Sequence, residues 1–387
     1  MTAIQNIILY LSEIYEQHIF LDILFWCTIV FFGAQFLFYI FFYFPFLFRK
    51  KGEIFQGKNP VSVIICAKNE EENLKKNLPL ILNQKYPEFE IIVVNDGSSD
   101  NTEEYLGQLK EKYNRLKFTT IMEDKKFNHG KKLALTVGIK AAKFEHLILT
   151  DADCYPASEK WIEKIQENFS NDKHIILGYG KYEAQKGLLN KIIRYDTINI
   201  ALQYFGFANI GIPYMGVGRN LAYKKSLFFQ NKGFASHSHI LSGDDDLFVN
   251  EVANKKNTAI ETSAESQTIS IPEKSWKSWS KQKKRHLTTG KHYKLIHKFL
   301  LTFEPFTRIS FYVFVILLLI MGIQVELLLS ILVIKILMLL VATKLTMKRL
   351  DEKGIWLYCV IFDVLLPLIN AYFLFSNYLL RKNNKWK

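Results

Sequence analysis

The chain has 387 residues, and its 50 Lys and Arg against 37 Asp and Glu give a net charge of +13. With 19 Gly, 9 Pro and 4 Cys beside 31 Phe, it is neither collagen-like, nor a disulfide scaffold, nor intrinsically disordered. Its apolar residues, 49% of the total, crowd toward the two ends, which argues against a wholly soluble protein.

From Ile19 to Phe48 the chain is almost continuously apolar, with Asp22 its only charge, and is long enough to cross a bilayer as a helix. The segment before it carries Glu13 and Glu16 but no Lys or Arg, unlike a signal peptide. Arg49-Lys50-Lys51 follow, so the positive-inside rule puts the next domain in the cytoplasm. Residues 1–50 are expected to form a membrane anchor.

Between about Asn59 and His297 the pattern changes. Val61 to Ala67 is a short apolar run, as in a strand buried on both faces. Asn69 is a candidate N-cap for a helix opening with Glu70-Glu71-Glu72. A second such strand, Glu90–Asn95, runs into the turn Asp96-Gly97-Ser98-Ser99-Asp100 and another helix. Phe118–Met122 reads as a third strand, Lys131–Ala142 as a helix, and His146–Thr150 as a fourth strand leading into Asp151-Ala152-Asp153. This alternation predicts an α/β domain, a mostly parallel sheet with helices on both faces. Ligands of such sheets bind beyond the carboxyl ends of the strands, where these acidic clusters fall.

Two carboxylates spaced as Asp151 and Asp153 share one side of an extended chain. They suit Mg²⁺ or Mn²⁺, though acids also populate ordinary turns. Further on, Ser242-Gly243-Asp244-Asp245-Asp246 offers either helix-start decoration or a carboxylate whose crowded neighbours raise its pKa toward that of a general base. His237 and His239 look like part of a solvated loop, and His129 beside Gly130 like a bystander. The stretch Ser275–His286 mixes Trp276 and Trp279 with many cations. It fits a helix on anionic lipid, with Gln282 and Arg285 available to a phosphate.

Apolar stretches at about Ile309–Ile323, Leu327–Ala342 and Ile355–Leu380 close the chain, the first two joined by a tight hairpin at Gln324-Val325-Glu326. The last contains Asp363, Pro367 and Asn370 and is followed by Arg381-Lys382, so it reads either as a span or as a broken, re-entrant helix. Three or four spans are expected in all. Cys27, Cys66, Cys154 and Cys359 show no paired spacing, which suits a reducing compartment.

Four motifs in order, over roughly Pro60 to Gly290, give the chain a resemblance to membrane-anchored glycosyltransferases of family 2, with the Rossmann-like GT-A fold. The segments Ala67-Lys68-Asn69-Glu70-Glu71 and Val94–Asp100 resemble that family's nucleotide-binding motifs, which implies nucleoside contacts for Ala67, Glu70 and Asp96. Gly130-Lys131-Lys132 resembles the segment that approaches the nucleotide. The resemblance implies that Asp151 lies against ribose or sugar, that Asp153 holds the divalent metal, and that Gln282 and Arg285 meet the diphosphate. It makes Asp245 the catalytic base, with Asp244 or Asp246 as alternatives one residue away. Tyr214–Asn220 resembles an acceptor-side segment. Processive synthases of the family carry Gln-x-x-Arg-Trp; here His286 stands in the Trp position, which counts against processive synthesis.

The implied domains are an anchor at 1–50, a cytoplasmic GT-A domain at 51–273, a basic interfacial region at 274–305 and two or three membrane helices at 306–387. The implied activity is inverting hexosyl or N-acetylhexosaminyl transfer from a nucleotide-diphosphate sugar to a membrane-held acceptor: a lipid, a lipid-linked carrier or a polysaccharide. The rival reading is a non-catalytic membrane scaffold or nucleotide-sugar sensor on the same fold. No nucleic-acid partner is expected, because the excess positive charge lies beside the membrane segments and no such motif occurs.

Overall fold

The computed structural model of the chain describes residues 3–50, 55, 57–122, 130–240 and 242–380. His129 and the basic pair at 381–382 lie outside them. Helix α1 (Ala3–Phe38) widens into a π-turn at Tyr39–Tyr43 and resumes as α2 (Phe44–Leu47). Pro45 accounts for the change of pitch. It lacks the N–H that would bond the Phe41 carbonyl, and the Phe44 N–H reaches back to Tyr39 instead.

The domain then alternates: β1 (Val61–Ala67), α3 (Glu71–Leu82), β2 (Phe89–Asp96), α4 (Thr102–Lys112), β3 (Leu116–Ile121), α5 (Lys131–Ala141) and β4 (His146–Asp151). Next come β5 (Cys154–Pro156), α6 (Trp161–Gln166), β6 (Ile175–Leu177), β7 (Gly180–Tyr182), α7 (Leu188–Asn209), β8 (Leu221–Lys224) and α8 (Lys225–Gln230). The domain closes with α9 (Asp246–Val252), β9 (Thr258–Ile260), β10 (Thr268–Ser270) and α10 (Trp276–His286). The main sheet has the order β3-β2-β1-β4-β8-β6-β9, parallel except that β8 runs against both its neighbours. A small second sheet is ordered β5-β10-β7.

Burial on both faces explains why these strands are mostly apolar. Ile64 of β1 packs with Ile92, Val94 and the α5 residues Leu135 and Ile139. Val63 and Ile65 face the other way, onto Leu74 and Leu78 of α3 and Leu106 of α4. Two local expectations shift. The third strand starts at Leu116, since its pairing with Ile91 begins there. Asn69 is no N-cap: its φ of 56° turns the chain, and its carboxamide takes the Ser99 N–H at 2.8 Å. The open α3 N–H at Glu71 goes to Asp100 instead.

Helices α11 (Leu295–Ile320), α12 (Val325–Arg349) and α13 (Cys359–Leu380) complete the chain. Among the described residues four helices are long and apolar enough to cross a membrane: Ile19–Leu47, Leu295–Ile320, Val325–Arg349 and Trp356–Asn377. The α11–α12 turn falls at 321–324, slightly before the expected hairpin, and α11 begins inside the stretch expected to be interfacial. Among the described residues, the charges of Arg308 and Lys335 inside the bundle find polar partners. Arg308 sits between Glu304 and Asp363, at 2.5 and 2.8 Å, and Lys335 donates to Gln35 at 3.0 Å.

The domain is seated on this bundle through α7. Phe205 stacks on Phe46 and Phe207 meets Phe42. Arg194 forks onto the buried Glu352, which also accepts from Tyr179. Both ends of α13 touch domain-side elements. Phe362 lies 5.5 Å from the Tyr195 ring of α7, while Phe373 lies 5.8 Å from Trp279 of α10, and Ser376 accepts from Lys284.

Candidate active site

Three parallel strand ends form the floor. Ala67 stands opposite Asn95, and Cys66 opposite Asp151, so the nucleotide-like loops and the Asp151 turn lie side by side. The two loops are stitched together: the Asn69 N–H donates to Ser98, Glu70 N–H to Thr102 and Glu71 N–H to Asp100. Asp100 also takes the Thr102 N–H, so one carboxylate serves the starts of α3 and α4. Ala67 and Asp96 are buried in this floor, and the half-buried Glu70 accepts from Asn73 at 2.6 Å.

Asp151 and Asp153 emerge from β4 beside Cys154, with one ligand atom from each within 4.8 Å of the others. Burial pushes Asp151 up, but Lys131, 2.7 Å away, more than offsets this and holds it below the usual carboxylate range. Burial and the charge of Asp151 both push Asp153 up, so it holds a proton more readily than an ordinary carboxyl. Two adjacent oxygen donors, one of them costly to ionise alone, fit a hard divalent cation.

Across the cleft, the three consecutive acids have separate surroundings. Asp246 is buried and fully engaged: its carboxylate accepts from Tyr293 at 2.6 Å, from Thr289, and from the Leu247 N–H at 2.7 Å. Asp244 is buried and paired with Lys131 at 3.1 Å. Asp245 is half-buried and caps α9, accepting the Asp246 N–H at 2.8 Å, while its other oxygen takes the Gly218 N–H at 2.7 Å. Burial first, then Asp244 and Asp246, push Asp245 up to about 7. Gly218 permits this approach, since a Cβ there would stand 3.3 Å from that oxygen.

Lys131, the first residue of α5, ties the two acidic groups together. On α10, Gln282 and Arg285 are half-buried, and the positive charge of Arg285 helps lower Asp151. The expected loop histidines divide. His237 is buried against Phe234, and Lys132 holds its carbonyl at 2.6 Å, so it is not solvated; His239 is exposed. One residue beside the acids was marked only as part of the Tyr214–Asn220 segment and not for itself: Arg219, in the turn Gly218–Asn220. A lone cation set beside glycines, between a helix and a strand, was the available signal.

The family description "Glycosyl transferase family 2" matches residues 62–229. The poly-β-1,6-N-acetyl-D-glucosamine synthase of Staphylococcus epidermidis is 34% identical over 141 residues, covering 36% of this chain and 33% of the synthase. An uncharacterized glycosyltransferase of Haemophilus influenzae is 36% identical over 115 residues, covering 30% of this chain and 34% of that protein. The chain thus aligns with about a third of the length of these curated relatives. Among solved structures, the mannosyltransferase PcManGT from Pyrobaculum calidifontis, in complex with GDP-Man and Mn²⁺, is similar over 93% of this chain and all of its own, with TM-score 0.61 at 15% identity. That likeness is one of fold. Residues 62–229 thus match the glycosyltransferase family 2 model, within an α/β domain of the GT-A fold set among apolar helices long enough to cross a membrane.

Proposed function

We propose that the chain is an inverting glycosyltransferase that moves a sugar from a nucleotide-diphosphate sugar to a membrane-held acceptor. The observation that carries this reading is the pairing of two unlike acids across one cleft: Asp153 among donors that suit a cation, and Asp245 poised to take a proton near neutrality. The nucleoside would lie over Ala67, Glu70 and Asp96, with Asp151 against ribose or sugar and Lys131 beside the phosphates. Asp245 accepts the proton of the acceptor hydroxyl. That oxygen attacks the anomeric carbon from the face opposite the diphosphate, and the bond from carbon to the diphosphate oxygen breaks. Gln282 and Arg285 face the departing diphosphate. A divalent cation held by Asp153, Mg²⁺ or Mn²⁺, would offset the negative charge that develops there.

The same reading extends to the membrane layout. The Arg349 guanidinium donates to the Arg49 carbonyl at 3.0 Å, and Lys50, Lys344 and Lys348 flank these two in sequence, which favours a cytoplasmic catalytic domain. Helices α1, α11 and α12 would span, while α13, held to α7 near one end and α10 near the other, would lie along the domain face. An acceptor anchored in that face reaches the cleft without leaving the membrane.

The test is turnover of a panel of nucleotide sugars by the purified chain in detergent, with and without Mn²⁺, beside Asp153→Asn. Metal-dependent release of nucleoside diphosphate that disappears in the variant supports the reading. Nucleotide-sugar binding with no hydrolysis or transfer, even with membrane lipid extract added as acceptor, points instead to the sensor reading.

A further inference from the structure

Arg219 follows the glycine that hydrogen-bonds the proposed base, and its backbone is held from two sides. Its carbonyl accepts from Thr150 of β4 at 3.0 Å and from Thr268 of β10 at 2.9 Å. The neighbouring Asn220 donates to the carbonyls of Tyr179 and Ser266 and accepts from Trp161. The turn therefore has little freedom to move.

The side chain is also aimed. Its guanidinium lies over the Tyr182 ring, 4.2 Å from the centroid, on the small sheet that also carries Cys154 and Ser270. Gly180 makes room for it. A Cβ at that position would press within 3.1 Å of the Arg219 Cβ and lie 3.5 Å from Nε. Burial works against the charge of this guanidinium, but its surroundings, Tyr182 and Cys154 and then Asp153 and Asp151, more than offset that and keep it protonated.

What distinguishes Arg219 is its unused bonding capacity. Arg194 and Arg308 are matched by carboxylates at short range. Among the described residues Arg219 makes no ion pair, and its one side-chain hydrogen bond, to Ser270 at 3.4 Å, is at the long limit. Of the two acids whose charges act on it, Asp153 and Asp151, the second is already engaged by Lys131. A guanidinium carries five N–H donors in a planar fork, so most of them are left for a ligand. Its contact with the Tyr182 face holds the fork in place in advance, which limits the entropy lost on binding.

We infer that Arg219 binds the diphosphate of the donor, its fork taking non-bridging oxygens, and selects a nucleoside diphosphate over a monophosphate. The inference rests on the transferase reading above and adds a residue that touches the leaving group. Planar, bidentate recognition of phosphate is the chemistry that favours Arg over Lys at such a place. The alternative is a structural role in which Arg219 only balances Asp151 and Asp153.

The experiment is calorimetric titration of the full chain in detergent with UDP, UMP, GDP and GMP in the presence of Mn²⁺. The wild-type protein should bind one base and prefer its diphosphate. Arg219→Ala should weaken that diphosphate by about 10- to 100-fold, the range for hydrogen bonds to a charged group, and change the monophosphate by no more than about threefold. Arg219→Lys should recover only part of the loss. Tyr182→Leu, which removes that contact and leaves the charge, should give a smaller loss in the same direction. Equal weakening of both nucleotides, or of neither, overturns the inference while leaving the transferase reading standing. A wild-type protein that binds no nucleotide overturns the transferase reading first.

Discussion

Lys131 offers the sharpest prediction because its charge acts on both halves of the cleft. A Cβ on Gly218 would stand 3.3 Å from Lys131 Nζ and 3.3 Å from Asp245 Oδ2, so these two groups are at most about 6.6 Å apart. At an effective dielectric of roughly 20–40 their attraction is worth about 1.3–2.5 kcal/mol, or about one to two pKa units. Lys131 lowers Asp245, so Lys131→Gln should raise it from about 7 to a value about one to two units higher. Asp245 must be unprotonated to accept a proton, so the acid limb of the pH–kcat profile should move up by that amount. Asp244→Asn should move it the other way, because Asp244 is a like charge that raises Asp245. The assay is the initial rate of nucleoside diphosphate release at saturating donor and acceptor, from pH 5 to 10. The height of the profile will also fall in Lys131→Gln, but the argument concerns the position of the limb. A limb that stays in place, or that shifts in the same direction in both variants, refutes Asp245 as the titrating group.

Three further outcomes are expected. Asp246→Asn should lower thermal stability by about 1–3 kcal/mol through the disturbed Tyr293 and Thr289 bonds, yet keep kcat within about tenfold; a collapse of kcat in a well-folded variant would move the base by one residue. Arg194→Ala strands the buried Glu352 and should cost about 3–5 kcal/mol, read as a lower melting temperature, with Arg194→Met plus Glu352→Leu restoring most of it. In a background lacking Cys27, Cys66, Cys154 and Cys359, single cysteines at the exposed Leu357 and Phe375 should both react with an impermeant maleimide from the catalytic side. Reaction from opposite sides would make α13 a span.

The sheet was legible because strands buried on both faces need not alternate: β1, β2 and β4 are mostly apolar runs, and β2 and β4 end in acids. The long apolar helices were legible from composition too. The division of labour within Asp244-Asp245-Asp246 was not. Asp246 is occupied by Thr289 and Tyr293, 43 and 47 residues later, and no local pattern announces such partners. The Asn69 expectation failed in a similar way: the cap for α3 comes from Asp100, on the neighbouring loop. Arg219 was hidden because its significance depends on Tyr182 and on the carboxylates it does not pair with, all fixed by the tertiary fold. The open question of α13 was visible in its composition, in the Asp and Pro inside an apolar run, but its contacts at both ends were not.

The most direct test of the central claim is a comparison of Asp245→Asn with the wild-type chain, measuring kcat for sugar transfer and the dissociation constant of the donor in the same preparation. If Asp245 takes the acceptor proton, kcat should fall by about 10²- to 10⁴-fold while donor affinity holds within about threefold. A variant that transfers sugar within about tenfold of the wild-type rate would contradict the account.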